Sequence, residues 1–295
     1  MKIGVVLPAS QGDGGGKTPA WPAIRSFALA AEERGLDSVW MYDHFYYRTD
    51  EGELEGQHEA WTIVSAVAAV TERVEVGTIV LCTGFRNPGL TAKMAATADE
   101  VSAGRLILGI GAGWHDPEYD AFGYDKERRA DRFDEAVQII APLVRGETVT
   151  FEGRYERANE ARLAPPPSRR IPILIACERP RMLRLTARYA DAYNTAWYGA
   201  PDDRLMRQLT ALGEAMEAEG RDPATMTRTV GVIARDPTRK PESDEEREFA
   251  GSLDQLAKAL DEHEALGIDH LIVILQPMDE ASLDWLTNAV DLRGG

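Results

Sequence analysis

Asp43-His44 sets a carboxylate beside an imidazole, the side chain whose ordinary pKa lies nearest neutrality, so the pair can hold or move a proton. A second reading is structural: Asp43 only orients His44 where a strand meets a loop. Trp114 and Trp197 bring large flat faces that suit the wall of an apolar pocket, and Tyr193 suits either that wall or the core. Cys177-Glu178-Arg179-Pro180 reads as a helix start, because proline fits the first helical position. Arg179 and Arg181 there can meet an anion, although Arg181, Arg184 and Arg188 share one helix face and equally suit a solvated surface.

Other chemistries lack their residues. Gln11–Thr18 (QGDGGGKT) has Gln where a P-loop needs its first glycine. In Gly109-Ile110-Gly111-Ala112-Gly113, Trp114 stands where a dinucleotide fingerprint needs its third glycine, so a tight strand end is the better reading. The five histidines (44, 58, 115, 263, 270) show no metal-ligand spacing, and there is no G-x-S-x-G elbow. Cys82 and Cys177 read as small fillers rather than nucleophiles or a disulfide framework.

These residues sit at the ends of short apolar runs. Eight such runs occur: Ile3–Leu7, Ser38–Tyr42, Val76–Cys82, Arg105–Gly111, Pro172–Cys177, Asp191–Ala196, Thr229–Ala234 and His270–Leu275. They are continuously apolar, as expected of parallel strands covered on both faces. Between them lie helical spacings such as Ile24, Phe27, Ala28, Ala31 and Phe133, Ala136, Val137, Ile140. Ser252 with Gln255 reads as a capping box, and Gly35, Gly104, Gly220 and Gly267 fall where helices should stop. Eight strand–helix units predict an α/β fold, a (β/α)8 TIM barrel with insertions after strands four and seven. An open doubly wound sheet is the rival. The fourth unit is long, with a helix over Asp131–Arg145 and a hairpin in Thr148–Tyr155 turning on Glu152–Gly153. Asp236–Glu248 reads as a loop. In a barrel the site belongs at the strand C-termini. The residues there are aromatic and mixed polar with few acids, which suits a flat aromatic ligand better than a metal.

The chain has 295 residues, a net charge of −16 and 44% hydrophobic residues. The acidic balance argues against nucleic acid or an anionic membrane as partner. No run approaches the roughly 20 apolar residues of a membrane span, and the apolar start is too short for a signal peptide. A cytoplasmic protein with a small-molecule substrate is expected. The charge is uneven: Arg169–Arg188 carries six arginines and one acid, a local balance of +5.

The rim motifs taken together resemble the luciferase-like oxidoreductase family, in particular its branch using the deazaflavin coenzyme F-420. They run in order from Gly35-Leu36-Asp37-Ser38-Val39-Trp40 and Asp43-His44 through Val76-Gly77-Thr78, Arg86-Asn87-Pro88 and Ala103-Gly104-Arg105-Leu106. Gly113-Trp114, Glu118-Tyr119, Phe122-Gly123, Arg132-Phe133, Phe151-Glu152-Gly153 and Ala187-Arg188-Tyr189-Ala190-Asp191 follow. The resemblance implies one luciferase-like barrel domain over residues 1–295 and a homodimer. It also implies a cofactor ring in the barrel mouth, backed by a bulge at Thr78-Ile79-Val80 with a cis peptide between Ile79 and Val80. The implied function is hydride transfer between the deazaflavin and a small, rather apolar organic substrate. A flavin mononucleotide (FMN)-dependent monooxygenase and a non-catalytic flavin-binding barrel are the alternatives.

The site residues implied are His44 and Asp43 for catalysis. Cofactor contacts are expected from Asp43, Ile79, Val80, Gly111, Ala112, Gly113, Cys177, Glu178, Arg179 and Arg181, and a substrate pocket from Tyr42, Trp114, Tyr193 and Trp197. The cofactor phosphate is expected where strand five enters the next helix, although the glycine pair usual there is absent. Sugar-phosphate dehydrogenases of this branch carry a carboxylate where this chain has Trp114, which cannot act as an acid. His115 reads as exposed.

Overall fold

The structure is a computed structural model that describes residues 1–13, 15–49, 52–239 and 248–293. Eight parallel strands form its centre: β1 (Lys2–Val6), β2 (Ser38–Met41), β3 (Glu75–Thr78), β4 (Leu106–Gly111), β5 (Ile173–Ala176), β6 (Ala192–Tyr198), β7 (Thr227–Arg235) and β8 (His270–Leu275). Each pairs with the next, and β8 pairs with β1 through Lys2↔His270 and Val5↔Val273. β4 pairs with β5 through Leu108↔Ile173 and Ile110↔Ile175. The ladder therefore closes into a ring, which excludes the open sheet and confirms the (β/α)8 barrel.

The continuously apolar runs are buried on both faces, as β2 illustrates with all four residues buried. Inside the barrel Trp40 is fully buried. It fits because Gly77 faces it: a Cβ there would lie 2.4 Å from the Trp40 ring. Around the barrel run α1 (Trp21–Glu33), α2 (Ala60–Val70), α3 (Pro88–Val101), a short α4 (Asp116–Phe122), α5 (Arg129–Val144), α6 (Pro180–Tyr189), α7 (Asp203–Ala218), α8 (Leu253–Ala265) and α9 (Glu280–Leu292). Ile24, Phe27, Ala28 and Ala31 are the buried stripe of α1, as their spacing requires. Ser252 and Gln255 form the expected capping box on α8. Gly35, Gly104, Gly220 and Gly267 all adopt positive φ just past helix ends.

Several details differ from the sequence expectations. The third run breaks after Thr78 and resumes as Leu81–Cys82, with the cis peptide between Ile79 and Val80 where it was expected. A second non-proline cis bond joins Ala196 and Trp197. The hairpin after α5 pairs Val149–Glu152 with Arg157–Ala161, so its turn lies at 153–156 rather than on Glu152–Gly153. A small hairpin, Tyr46–Arg48 with Leu54–Gly56, follows β2. Of the loop expected over Asp236–Glu248, residues 240–247 lie outside the described residues. Among the described residues no helix is long and apolar enough to cross a membrane.

Candidate functional site

A cavity of about 720 Å³ opens at the C-terminal ends of β2 to β6. It gathers Tyr42, Asp43 and His44 from the end of β2, Ile79 and Val80 from the bulge after β3, and Gly111, Ala112, Gly113 and Trp114 from the end of β4. Cys177, Glu178 and Arg179 after β5 and Trp197 of β6 complete the expected set. Two expected residues lie elsewhere. Tyr193 is fully buried in a satellite core with Leu183, Leu212 and Met216, behind the barrel wall, so it packs rather than lines. Arg181 turns away from the cavity to the Asp131 and Asp134 carboxylates of α5.

His44 does not pair with its neighbour Asp43. Its Nδ1 lies 2.8 Å from Oε2 of Glu118, in the first turn of α4. Glu118 is 1% exposed, and its Oε1 accepts from the backbone N–H of Phe45 and Tyr46. A carboxylate so surrounded by donors is an acceptor, so Nδ1 of His44 donates to it and Nε2 is the nitrogen left toward the cavity. Among the described residues Nε2 has no protein partner, and the ring lies on the cavity wall between Tyr47 (4.4 Å between ring centres) and Trp114 (5.6 Å).

Asp43 is a fixture of the wall. Its carboxylate accepts from both Arg86 nitrogens at 2.7 and 2.9 Å and from Cys82 N at 2.7 Å. Arg86 also donates to Glu59 at 2.6 Å, and Glu59 caps α2. Burial works against the Arg86 cation, but the Asp43 and Glu59 carboxylates overcome it and hold its pKa above the ordinary value. The sequence reading gave no role to Arg86 or Glu118. The signal for Glu118 was available: an acid in the first turn of a helix opened by Pro117, a few residues past a barrel strand.

The floor under Gly113 is tight. Tyr119 donates to Ala112 O at 3.1 Å and lies 2.9 Å from Cys82 Sγ, while a Cβ on Gly113 would fall 2.1 Å from that hydroxyl. Burial pushes the Cys82 thiol up to about 11 and the Cys177 thiol up to about 12, so both stay protonated near neutrality. His115 is buried rather than exposed. Its Nε2 accepts from Arg48 N at 3.1 Å, and burial lowers its pKa.

The bay fits a flat tricyclic ring with an anionic tail. Gly111 lets the bulge pack close to β4: a Cβ there would lie 2.6 Å from Val80 Cγ2. The cavity runs from there to the start of α6, whose cap has no side-chain hydrogen bond and whose first turn has no acid. Two features there favour a phosphate: the open helix end, and the exposed Arg179, which has no ion-pair partner among the described residues. The local excess of arginines is smaller in effect than the sequence implied. Arg169, Arg170, Arg181 and Arg188 are paired with Asp99, Asp191, Asp131/Asp134 and Glu219.

Comparison with known proteins places these features in context. The family model for luciferase-like monooxygenases matches residues 1–265. The chain is 37% identical over 214 residues to an F420-dependent glucose-6-phosphate dehydrogenase of Kineococcus radiotolerans, covering 71% of this chain and 62% of that protein. It is 34% identical over 229 residues to a phthiodiolone/phenolphthiodiolone dimycocerosates ketoreductase of Mycobacterium tuberculosis, covering 71% of this chain and 59% of that protein. The chain thus matches about three-fifths of the length of these curated relatives. A solved F420-dependent secondary alcohol dehydrogenase, in complex with an F420-acetone adduct, has the same fold. It superposes with a TM-score of 0.83 at 21% identity, over 99% of this chain and 98% of that one.

Proposed function

Because the chain belongs to the luciferase-like monooxygenase family, we propose that it is an oxidoreductase passing a hydride between the deazaflavin coenzyme F-420 and a small alcohol or carbonyl compound. The observation that carries this reading is the His44–Glu118 pair, whose unpartnered Nε2 stands on the wall of the cavity that also holds the Ile79–Val80 bulge. The relatives named for this coenzyme support the choice of deazaflavin. Residues 1–295 are read as one barrel domain, cytoplasmic and homodimeric.

Bound in the bay, the deazaflavin supplies a ring carbon that accepts or gives the hydride. Ile79, Val80, Gly111, Ala112 and Gly113 would hold the ring, and Cys177, Glu178 and Arg179 with the start of α6 would hold the phosphate. In the oxidising direction the substrate oxygen gives its proton to Nε2 of His44 as the carbinol carbon loses its hydride. The imidazolium that results is stabilised by the Glu118 carboxylate at Nδ1. In the reducing direction the same imidazolium returns the proton to the carbonyl oxygen. Asp43 does not titrate in this scheme; tied to Arg86 and Cys82 N, it fixes the strand end that aims His44. Tyr42 and Trp197 wall the substrate and exclude water, and Trp114, 64% exposed, stands at the rim.

Fluorescence titration of the purified protein with the deazaflavin and with FMN tests the reading. Micromolar binding of the deazaflavin, with turnover of secondary alcohols or ketones, is expected. Binding of neither overturns it, and binding of FMN alone selects the monooxygenase reading.

A further inference from the structure

We propose that a second cavity at the barrel mouth is the recognition end of the substrate site, and that it selects an ammonium group carried on a short apolar arm. This rests on the hydride-transfer reading of the first cavity. The second cavity, about 400 Å³, is lined from the loop after β1, the ends of β2, β6, β7 and β8, and the 46–56 hairpin. Tyr42, Tyr47 and Trp197 line both cavities, so one ligand can reach from His44 into the second space. Tyr42 and Trp197 meet edge to face at 6.4 Å between ring centres.

The chemistry of this second space is one-sided. Two carboxylates, Asp13 and Glu55, line it, and among the described residues no Lys or Arg does. Asp13 accepts from Ala9 N at 3.0 Å and Ser10 N at 2.8 Å; burial raises its pKa, and the Glu55 carboxylate adds to the rise. A cation placed near both relieves that repulsion. Glu55 and the hydroxyls of Tyr42 and Tyr47 have no hydrogen-bond partner among the described residues, so three groups facing this region are free for a ligand. Ile233, Ile274, Leu275 and Met278 supply an apolar wall for the arm. The aromatic faces of Tyr42, Tyr47 and Trp197 favour an ammonium further. A phosphate would meet two carboxylates and, among the residues lining this space, no cation, the nearby Lys17 lining the adjoining cavity on the other side of Asp13, so a sugar phosphate is disfavoured.

Calorimetric titration of the purified protein, with and without bound deazaflavin, tests this with three probes of one length: butylammonium, 1-butanol and butyl phosphate. Butylammonium is expected to bind more tightly than butyl phosphate. Glu55→Gln is expected to weaken butylammonium about ten-fold while leaving 1-butanol affinity and the melting temperature unchanged. Phosphate binding equal to or tighter than ammonium overturns the proposal, as does a Glu55→Gln variant with unaltered ammonium affinity. Failure of deazaflavin binding overturns the hydride-transfer reading instead, and the calorimetry of the coenzyme-free protein separates the two results.

Discussion

At the scale of single residues, the site turns on which partner each charged group has chosen. Glu118 holds Nδ1 of His44 and leaves Nε2 on the cavity wall. His44→Gln keeps the size but not the base, and is expected to lower kcat by about 10²–10⁴ with deazaflavin affinity retained in a fluorescence titration. Glu118→Gln removes the charge that steadies the imidazolium. The kcat for alcohol oxidation should then fall while KM and deazaflavin affinity change little, a split that a purely structural role would not produce. Asp43 and Arg86, with side chains 4% and 10% exposed, form a nearly buried pair. Asp43→Asn leaves Arg86 with the Glu59 carboxylate alone, so it should cost about 1–3 kcal/mol in urea unfolding. Sequence adjacency pointed to Asp43 as the partner of His44. Adjacency fails here because successive residues leaving a strand point to opposite sides, and the real partner arrives from a helix 74 positions on.

Among the elements, what was legible depended on length and on how local the determinant is. The eight strands were readable because continuous apolar runs have one use in an α/β protein, and α1, α5 and α8 because their buried stripes are long enough to show a 3.6-residue period. The seven residues of α4 and the three-residue strands of the 46–56 hairpin carry no such period. The turn at 153–156 is set from a distance: Glu135 in α5 accepts from the N–H of Arg154, Tyr155 and Glu156 at 2.9, 2.7 and 2.9 Å. No reading of the hairpin alone contains that carboxylate. The end of β4 restricts residue type on two counts. Gly113 has φ +77°, and its missing Cβ leaves room for Tyr119 Oη and for Cys82 Sγ, 2.5 Å from where that Cβ would stand. Gly113→Ala combines a left-handed backbone with that clash. It should cost at least roughly 2 kcal/mol in thermal unfolding and weaken deazaflavin binding by displacing the β4 rim.

The whole molecule is a closed ring with a polar thread through its interior. Trp40 Nε1 donates to Ser38 Oγ at 2.7 Å, and the same hydroxyl is hydrogen-bonded to Nε2 of His270, also at 2.7 Å. Burial, with the Lys2 and N-terminal charges nearby, pushes His270 down to about 3 from the ordinary 6.5. Because the folded value is the lower one, the unfolded chain takes up the proton first as pH falls. This group's contribution is therefore intact above 6.5 and is lost between there and about 3. The slope is about 1.4 kcal/mol per pH unit. Urea midpoints measured at pH 7, 5.5 and 4.5 should fall accordingly, and His270→Gln should flatten the fall. The ring also separates the two spaces at the mouth. The ring bay and His44 draw on the arc β2 to β6, while the second space draws on the ends of β6, β7 and β8, the loop after β1, and Tyr42 with the 46–56 hairpin beyond β2. Each loop is anchored to its own strand, and the ladder does not change when a loop does. A variant library at Ser10, Ile233 and Met278, which lie outside the segment that carries His44, should redraw which compounds are accepted with less effect on His44 than changes at Glu55, whose hairpin packs Tyr47 against the His44 ring.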